Sequence, residues 1–198
     1  MDDKYPSLSE ASREGLLQYG TLLGEAADRM GLVARGDRPR LFRRHLVESL
    51  APALVAALPG GARILDVGAG GGLPGIPLAI VRPDVRVTLL EAREKKISFL
   101  ERTLLLLGVT NATVWAGSME GLIPRPGPWD VAISRGVAWR RPMVAALEAC
   151  LGTEGVLIRF GAPGPLPEPV RIQIIEVGSP RVLQFWPRSA WRDLPKAP

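Results

Sequence analysis

Apolar positions recur at helical spacing through the first sixty residues and then change to short, nearly unbroken runs. Leu16, Leu17, Leu22, Leu23, Ala26, Ala27 and Met30 roughly keep the 3.6-residue period of a helix. Ser7 and Glu10 have the spacing of a capping box ahead of it, and Gly31 is placed to end it. Pro39 can open a second helix with Leu41, Phe42, Leu46, Val47 and Leu50 on one side, and Pro52 then bends or restarts it. No strand signal precedes Ile64.

From residue 62 to 161 the pattern alternates. Strands are predicted at 63–67, 85–90, 112–115, 129–134 and 155–160. Helices are predicted near 74–82, stopped by Pro83, at 93–107, stopped by Gly108, and near 142–151. Such alternation implies right-handed βαβ units and a mostly parallel sheet. Two more strand runs, 170–177 and 181–186, flank a tight connection through Gly178, Ser179 and Pro180. They predict a C-terminal hairpin that closes the sheet with antiparallel strands. The Pro- and Gly-rich stretch 161–169 reads as a surface loop. The expected organisation is an N-terminal helical extension over residues 1–60 and one compact α/β domain over 61–198.

Composition narrows the chemistry. Cys150 is the only cysteine and His45 the only histidine of the 198 residues, which leaves no disulfide framework and no multi-histidine metal cage. The start, Met1-Asp2-Asp3-Lys4, is acidic and does not read as a secretory signal. No apolar run reaches the roughly 18 residues of a membrane span. A soluble, cytoplasmic, metal-free protein is expected. The net charge of +5 comes from 21 Arg and 4 Lys against 20 acids. An anionic partner such as nucleic acid fits that balance, although the placement of the arginines decides more than their number.

The informative motif runs from Asp66 through Gly68, Ala69, Gly70, Gly71, Gly72, Leu73 and Pro74 to Gly75. It follows an apolar strand and opens a helix. Glycines there let the backbone turn sharply and approach a ligand, and a helix N-terminus offers N–H groups. A dinucleotide fingerprint needs a third glycine where Leu73 stands. The spacing G-x-G-x-G with an acid two residues upstream is instead typical of S-adenosylmethionine sites, whose ligand has no pyrophosphate to cradle. Glu91 ends the second strand at the edge where a ribose would lie, and a carboxylate there can accept both hydroxyl hydrogens. The plainer reading is that Glu91 caps the next helix.

The run from Asp66 to Pro83, the Thr88–Glu91 segment and Lys95-Lys96 with Phe99 and Leu100 resemble the small-subunit ribosomal RNA guanine-N7 methyltransferases, also called the glucose-inhibited division protein B family. Arg44, His45, Glu48 and Ser49 are similar to that family's arginine-histidine segment, and Ser134, Arg135 and Ala138 to its serine-arginine-alanine motif. The resemblance extends over about residues 40–161. Other family signatures are replaced here, by Gly31-Leu32-Val33 upstream, by residues 117–121 after the third strand, and by Arg159-Phe160-Gly161 after the fifth.

The resemblance implies a Rossmann-like methyltransferase sheet, S-adenosyl-L-methionine as cofactor, and methyl transfer to N7 of a guanine in 16S ribosomal RNA or the small ribosomal subunit. A monomer without membrane attachment is expected. The cofactor candidates are Asp66, Gly68, Ala69, Gly70, Gly72, Leu73, Pro74, Glu91, Ala92, Met119 and Glu120. Arg135 is the catalytic candidate. It follows the fourth strand and should touch guanine O6 or a phosphate, because a bidentate contact to O6 and N7 would cover the reacting atom. Its plainer reading is a salt bridge to a neighbouring acid. Substrate candidates are Arg40, Arg43, Arg44, His45, Arg140, Arg141 and Arg159. Arg35 and Arg38 belong to the same cationic stretch, and Trp139 beside Arg140 suits an RNA loop. His45 could equally make a structural hydrogen bond. Two alternatives stay open: a methyltransferase with a small-molecule or protein substrate, and a non-catalytic RNA- or cofactor-binding relative.

Overall fold

The computed structural model describes residues 8–32, 45–55, 58–122, 128–160, 171–177 and 179–187. The first helix, α1, is Glu10–Met30. Its N-cap is Ser9, whose hydroxyl accepts the Ser12 N–H at 3.1 Å. The capping box expected from Ser7 and Glu10 is therefore corrected, since Glu10 is the first helical residue. Gly31 ends α1 at φ 59°, where only glycine sits without strain. Two short helices follow, α2 (Val47–Ser49) and α3 (Ala51–Val55). Pro52 thus restarts the helix from its first turn, where a missing N–H is harmless.

The α/β part runs β1 (Arg63–Val67), α4 (Gly75–Val81), β2 (Arg86–Glu91), α5 (Glu94–Leu107), β3 (Ala112–Ala116), β4 (Trp129–Arg135), α6 (Arg141–Cys150), β5 (Leu151–Phe160), β6 (Arg171–Val177) and β7 (Ser179–Pro187). A 3₁₀ turn, Glu120–Leu122, stands between β3 and β4. The sheet order is β3-β2-β1-β4-β5-β7-β6. The first five strands in that order are parallel, with Val67 opposite both Leu90 and Ser134. β7 runs antiparallel to β5 and to β6. Strand order reverses between β1 and β4. Open α/β sheets bind ligands in the crevice at such a switch point, beyond the carboxyl ends of the strands.

Both faces of the sheet are covered. Ile64, Val87, Leu89, Val131, Ile133 and Ile158 point into one core, which α1, α4 and α5 close. Their neighbours Leu65, Val67, Leu90, Ala132 and Leu157 point into the other, against Met143, Val144 and Leu147 of α6. This period-two division of uniformly apolar strands is what a doubly covered parallel sheet requires. Among the described residues no helix is long and apolar enough to cross a membrane.

Candidate active site

The glycine loop between β1 and α4 has an inner and an outer side. Gly68, Gly70 and Gly72 have φ of 71°, 60° and 93°, a region other residues rarely enter. A side chain at Gly72 would begin 2.5 Å from Ile76 Cδ1, and one at Gly75 would begin 2.3 Å from Leu89 Cδ2. Those two glycines are packing necessities. At Gly70 the nearest atoms are 3.7 Å and 3.8 Å away, the Gly68 carbonyl and Lys96 Nζ. Gly70 therefore borders open space, and Gly68 is exposed beside it. Residues 71–79 are all buried. Gly68–Gly70 form the outer lip of the loop, whereas Leu73 and Pro74, expected among the cofactor contacts, pack inward.

Hydrogen bonds hold this lip to β2. Gly68 and Ala69 both donate their N–H to the Leu90 carbonyl, at 2.9 and 3.0 Å. Glu91 is buried, and its carboxylate accepts three backbone N–H groups: Gly70 at 2.9 Å, Ala92 at 3.0 Å and Arg93 at 2.9 Å. One oxygen thus serves the loop and the other the approach to α5, so the cap-like role is present together with the loop contact. A carboxylate has about four acceptor sites, so one remains for a ligand hydroxyl.

Asp66 is fully buried beneath the loop. Its Oδ2 accepts the Gly75 N–H at 2.8 Å, and Oδ1 has no hydrogen-bond partner among the described residues. Burial pushes its carboxyl up to about 7, opposed by the Gly75 bond and reinforced by the negative charge of Glu91. The α4 N-terminus was expected to offer N–H groups to a ligand. Instead Gly75 donates to Asp66, and Ile76 donates to the Gly72 carbonyl at 2.8 Å.

The far wall comes from β4. Arg135 ends it, half-buried, with Nη2 at 3.0 Å from Glu48 Oε2 and Nη1 donating to the His45 carbonyl at 3.3 Å. It also contacts His45 Nδ1 and lies over the Phe160 ring at 5.9 Å. The salt bridge of the plainer reading is therefore present, and its acid comes from the N-terminal helices. His45 is buried and its carbonyl also accepts the Ser49 hydroxyl at 2.6 Å. Beyond Arg135 the chain returns over the loop, with Val137 Cγ2 2.8 Å from where a Gly68 side chain would begin.

The third side lies after β3. Gly117 donates to the Glu91 carbonyl at 2.9 Å, which brings the turn holding Met119 and Glu120 beside Glu91 and Ala92. Met119 is buried, and Glu120 pairs with the exposed Arg140 at 2.6 Å. Arg141 is exposed at the start of α6. Two substrate-side expectations are corrected. Trp139 is buried and donates to Ser134 Oγ at 3.0 Å, so it is a core residue and no stacking platform. Arg159 is buried on β5, where desolvation lowers its pKa, so it is not on a rim that RNA reaches. Arg35, Arg38, Arg40, Arg43 and Arg44 lie outside the described residues.

Two residues of the site were not singled out by the sequence. Glu48 was quoted only as part of a motif, although a buried acid beside a helix signals a partner elsewhere. Tyr19, which reaches the Gly71 carbonyl of the loop from α1 at 2.7 Å, had no signal of its own in the sequence.

Known proteins resemble this chain over most of these elements. Residues 12–161 match the family described as GidB, rRNA small subunit methyltransferase G. The chain belongs to the GidB family. The matched stretch begins in α1 and contains the glycine loop, Glu91, Arg135 and β5. Among curated relatives, the "Ribosomal RNA small subunit methyltransferase G" of Streptomyces coelicolor is 36% identical over 146 residues, 70% of this chain and 60% of that protein. The protein of the same name from Neisseria gonorrhoeae is 40% identical over 117 residues, 59% of this chain and 56% of its own. This GidB-family chain thus spans less than two thirds of the length of these relatives. Among solved structures, a SAM-dependent methyltransferase from Aquifex aeolicus superposes with a TM-score of 0.57 at 18% identity, covering 74% of this chain and 92% of that one. The fold is the Rossmann-like sheet of such methyltransferases, with the GidB helices before it.

Proposed function

We propose that this chain transfers a methyl group from S-adenosylmethionine to N7 of a guanine in 16S ribosomal RNA, in the cytoplasm, with RNA or the small subunit as its partner. The observation that carries the reading is the lip at Gly68–Gly70 with the Glu91 carboxylate behind it, in a chain of the GidB family. The residues present fit the cofactor. A cradle that any side chain at Gly70 would fill lies against a carboxylate with one acceptor site to spare, next to Ala92 and the Met119–Glu120 turn.

When bound, the cofactor supplies a methyl group on a sulfonium that is already an activated leaving group. Guanine N7 carries a free lone pair, so the protein has no proton to remove before attack. Its task is alignment, and orientation alone can contribute several kcal/mol or more. Arg135, held by Glu48 and His45, aligns the guanine through O6 or a phosphate and leaves N7 uncovered. Arg140 and Arg141, exposed on the same edge, meet the RNA backbone, and Arg40, Arg43 and Arg44 extend that contact.

The test is incubation of the purified protein with methyl-labelled S-adenosylmethionine and either 16S RNA or small subunits, followed by nuclease digestion and mass spectrometry. Label in 7-methylguanosine supports the reading. Label confined to a small molecule or a protein transfers it to a changed-substrate methyltransferase, and no turnover with any acceptor makes it a non-catalytic relative.

A further inference from the structure

The inner side of the glycine loop rests on α1. Tyr19 is fully buried there, and its hydroxyl donates to the Gly71 carbonyl at 2.7 Å. Leu23, one turn further on, lies 2.8 Å from where a Gly71 side chain would begin, and Leu32 lies at 3.3 Å. On the same side a side chain at Gly15 would begin 3.1 Å from Ile80 Cγ2 of α4, and the Ser12 hydroxyl donates to the Ile80 carbonyl at 3.4 Å. The helix expected to be an extension is thus a wall of the loop.

A buried phenol needs a hydrogen-bond partner, so its direction is determined by the acceptor available. Here the acceptor is a loop carbonyl with no other bond among the described residues. The Gly71–Gly72 peptide is planar, so a pinned Gly71 carbonyl also sets the direction of the Gly72 N–H. That N–H donates to the Ala69 carbonyl at 2.7 Å and closes the turn around Gly70. Gly70 in turn presents its own N–H to Glu91. A chain of bonds therefore runs from Tyr19 through Gly71, Gly72 and Ala69 to the lip.

We propose that Tyr19 is a positioning residue of the cofactor site: its hydroxyl holds the glycine loop, through the Gly71 carbonyl, in the shape that binds S-adenosylmethionine. The inference rests on the reading of the lip as an S-adenosylmethionine site. It assigns α1 a part in binding that the ring's packing alone does not imply.

Tyr19→Phe keeps the ring and removes the bond. The variant should bind S-adenosylhomocysteine about tenfold more weakly by calorimetry, close to the usual worth of one buried hydrogen bond. Its melting temperature should move by only a few degrees, and its rate at saturating cofactor should stay within about twofold of wild type. Gly71→Ala should weaken binding as well, and Leu23→Ala in the same chain should restore part of it by clearing the clash. That pair also serves if Tyr19→Phe does not fold. Wild-type affinity in Tyr19→Phe, or a lowered melting temperature with unchanged affinity, overturns the proposal. Failure of the wild-type protein to bind S-adenosylhomocysteine overturns the cofactor reading instead.

Discussion

The glycine loop and the N-terminal helices reach the same edge of the sheet by different means. Between Asp66 and Glu91 the loop's own bonds are largely backbone groups paired with residues at most 22 positions away, as from Gly68 to Leu90. The helices contribute side chains across much longer gaps: Tyr19 to Gly71 spans 52 positions and Arg135 to Glu48 spans 87. The first kind of construction depends on backbone shape and tolerates glycine and little else. The second depends on single buried polar groups, each of which needs its partner. One site can thus lose function through a distorted loop or through a lost partner far away in sequence.

The largest effect that would sharpen this contrast is on the long-range side. Arg135→Ala removes the ion pair to Glu48, which is buried, and breaking such a pair costs about 3–5 kcal/mol. Chemical denaturation should register that loss in addition to lost turnover. Glu48→Gln in the same chain should return at least about 1 kcal/mol, measured as a double-mutant coupling. Additive effects would mean that the two residues act separately.

Asp66 gives the next effect, within the loop. Its carboxyl lies at about 7 in the fold against 3.8 for the free group. The folded protein keeps that proton where the unfolded chain has released it, so stability falls as pH rises from about 4 to about 7. Between pH 5 and pH 8 the loss should be on the order of 2 kcal/mol. Asp66→Asn should flatten the profile in that window. An unchanged profile would show that another group titrates there.

Glu91 gives the next effect, again within the loop region. Glu91→Ala strips a buried acceptor from three N–H groups, so stability should fall by about 1–2 kcal/mol while affinity for S-adenosylhomocysteine falls by about 1.5–3 kcal/mol. Calorimetry beside denaturation separates the two. The smallest effect is at the rim. Arg140 pairs with Glu120 but is 70% exposed, so Arg140→Ala should change stability by less than about 0.5 kcal/mol. Its consequence should appear in the salt dependence of RNA binding, with one phosphate contact fewer.

The same division explains what could be read in advance. The strands at 63–67 and 112–115, and Gly31 and Gly108 as helix stops, agree with the structure to within a residue, because burial on both faces and left-handed caps leave local marks. β5 begins at Leu151, earlier than its apolar run, because Leu151 pairs with Trp129 ahead of a register shift. At the candidate site, the spacing marked Gly68, Gly70 and Glu91, and the fold brings them together. The inward turn of Leu73 was not, since the motif alone does not say which side of the loop faces solvent. Trp139 and Arg159 looked like surface residues by type, yet strand register and the α6 packing bury them. The roles of Tyr19 and Glu48 were not legible for the reason that makes them informative: their partners lie on other elements.

The most direct test of the account is a calorimetric titration of the wild-type protein and Gly70→Asp with S-adenosylhomocysteine and with NAD. Gly70 lies at φ 60°, which Asp tolerates better than most residues, and no atom stands within 3.7 Å of the added carbon, so the variant should fold normally. The account predicts one-site binding of S-adenosylhomocysteine to wild type, no detectable binding to Gly70→Asp, and no binding of NAD to either. Undiminished binding by folded Gly70→Asp, or a preference for NAD, would contradict it.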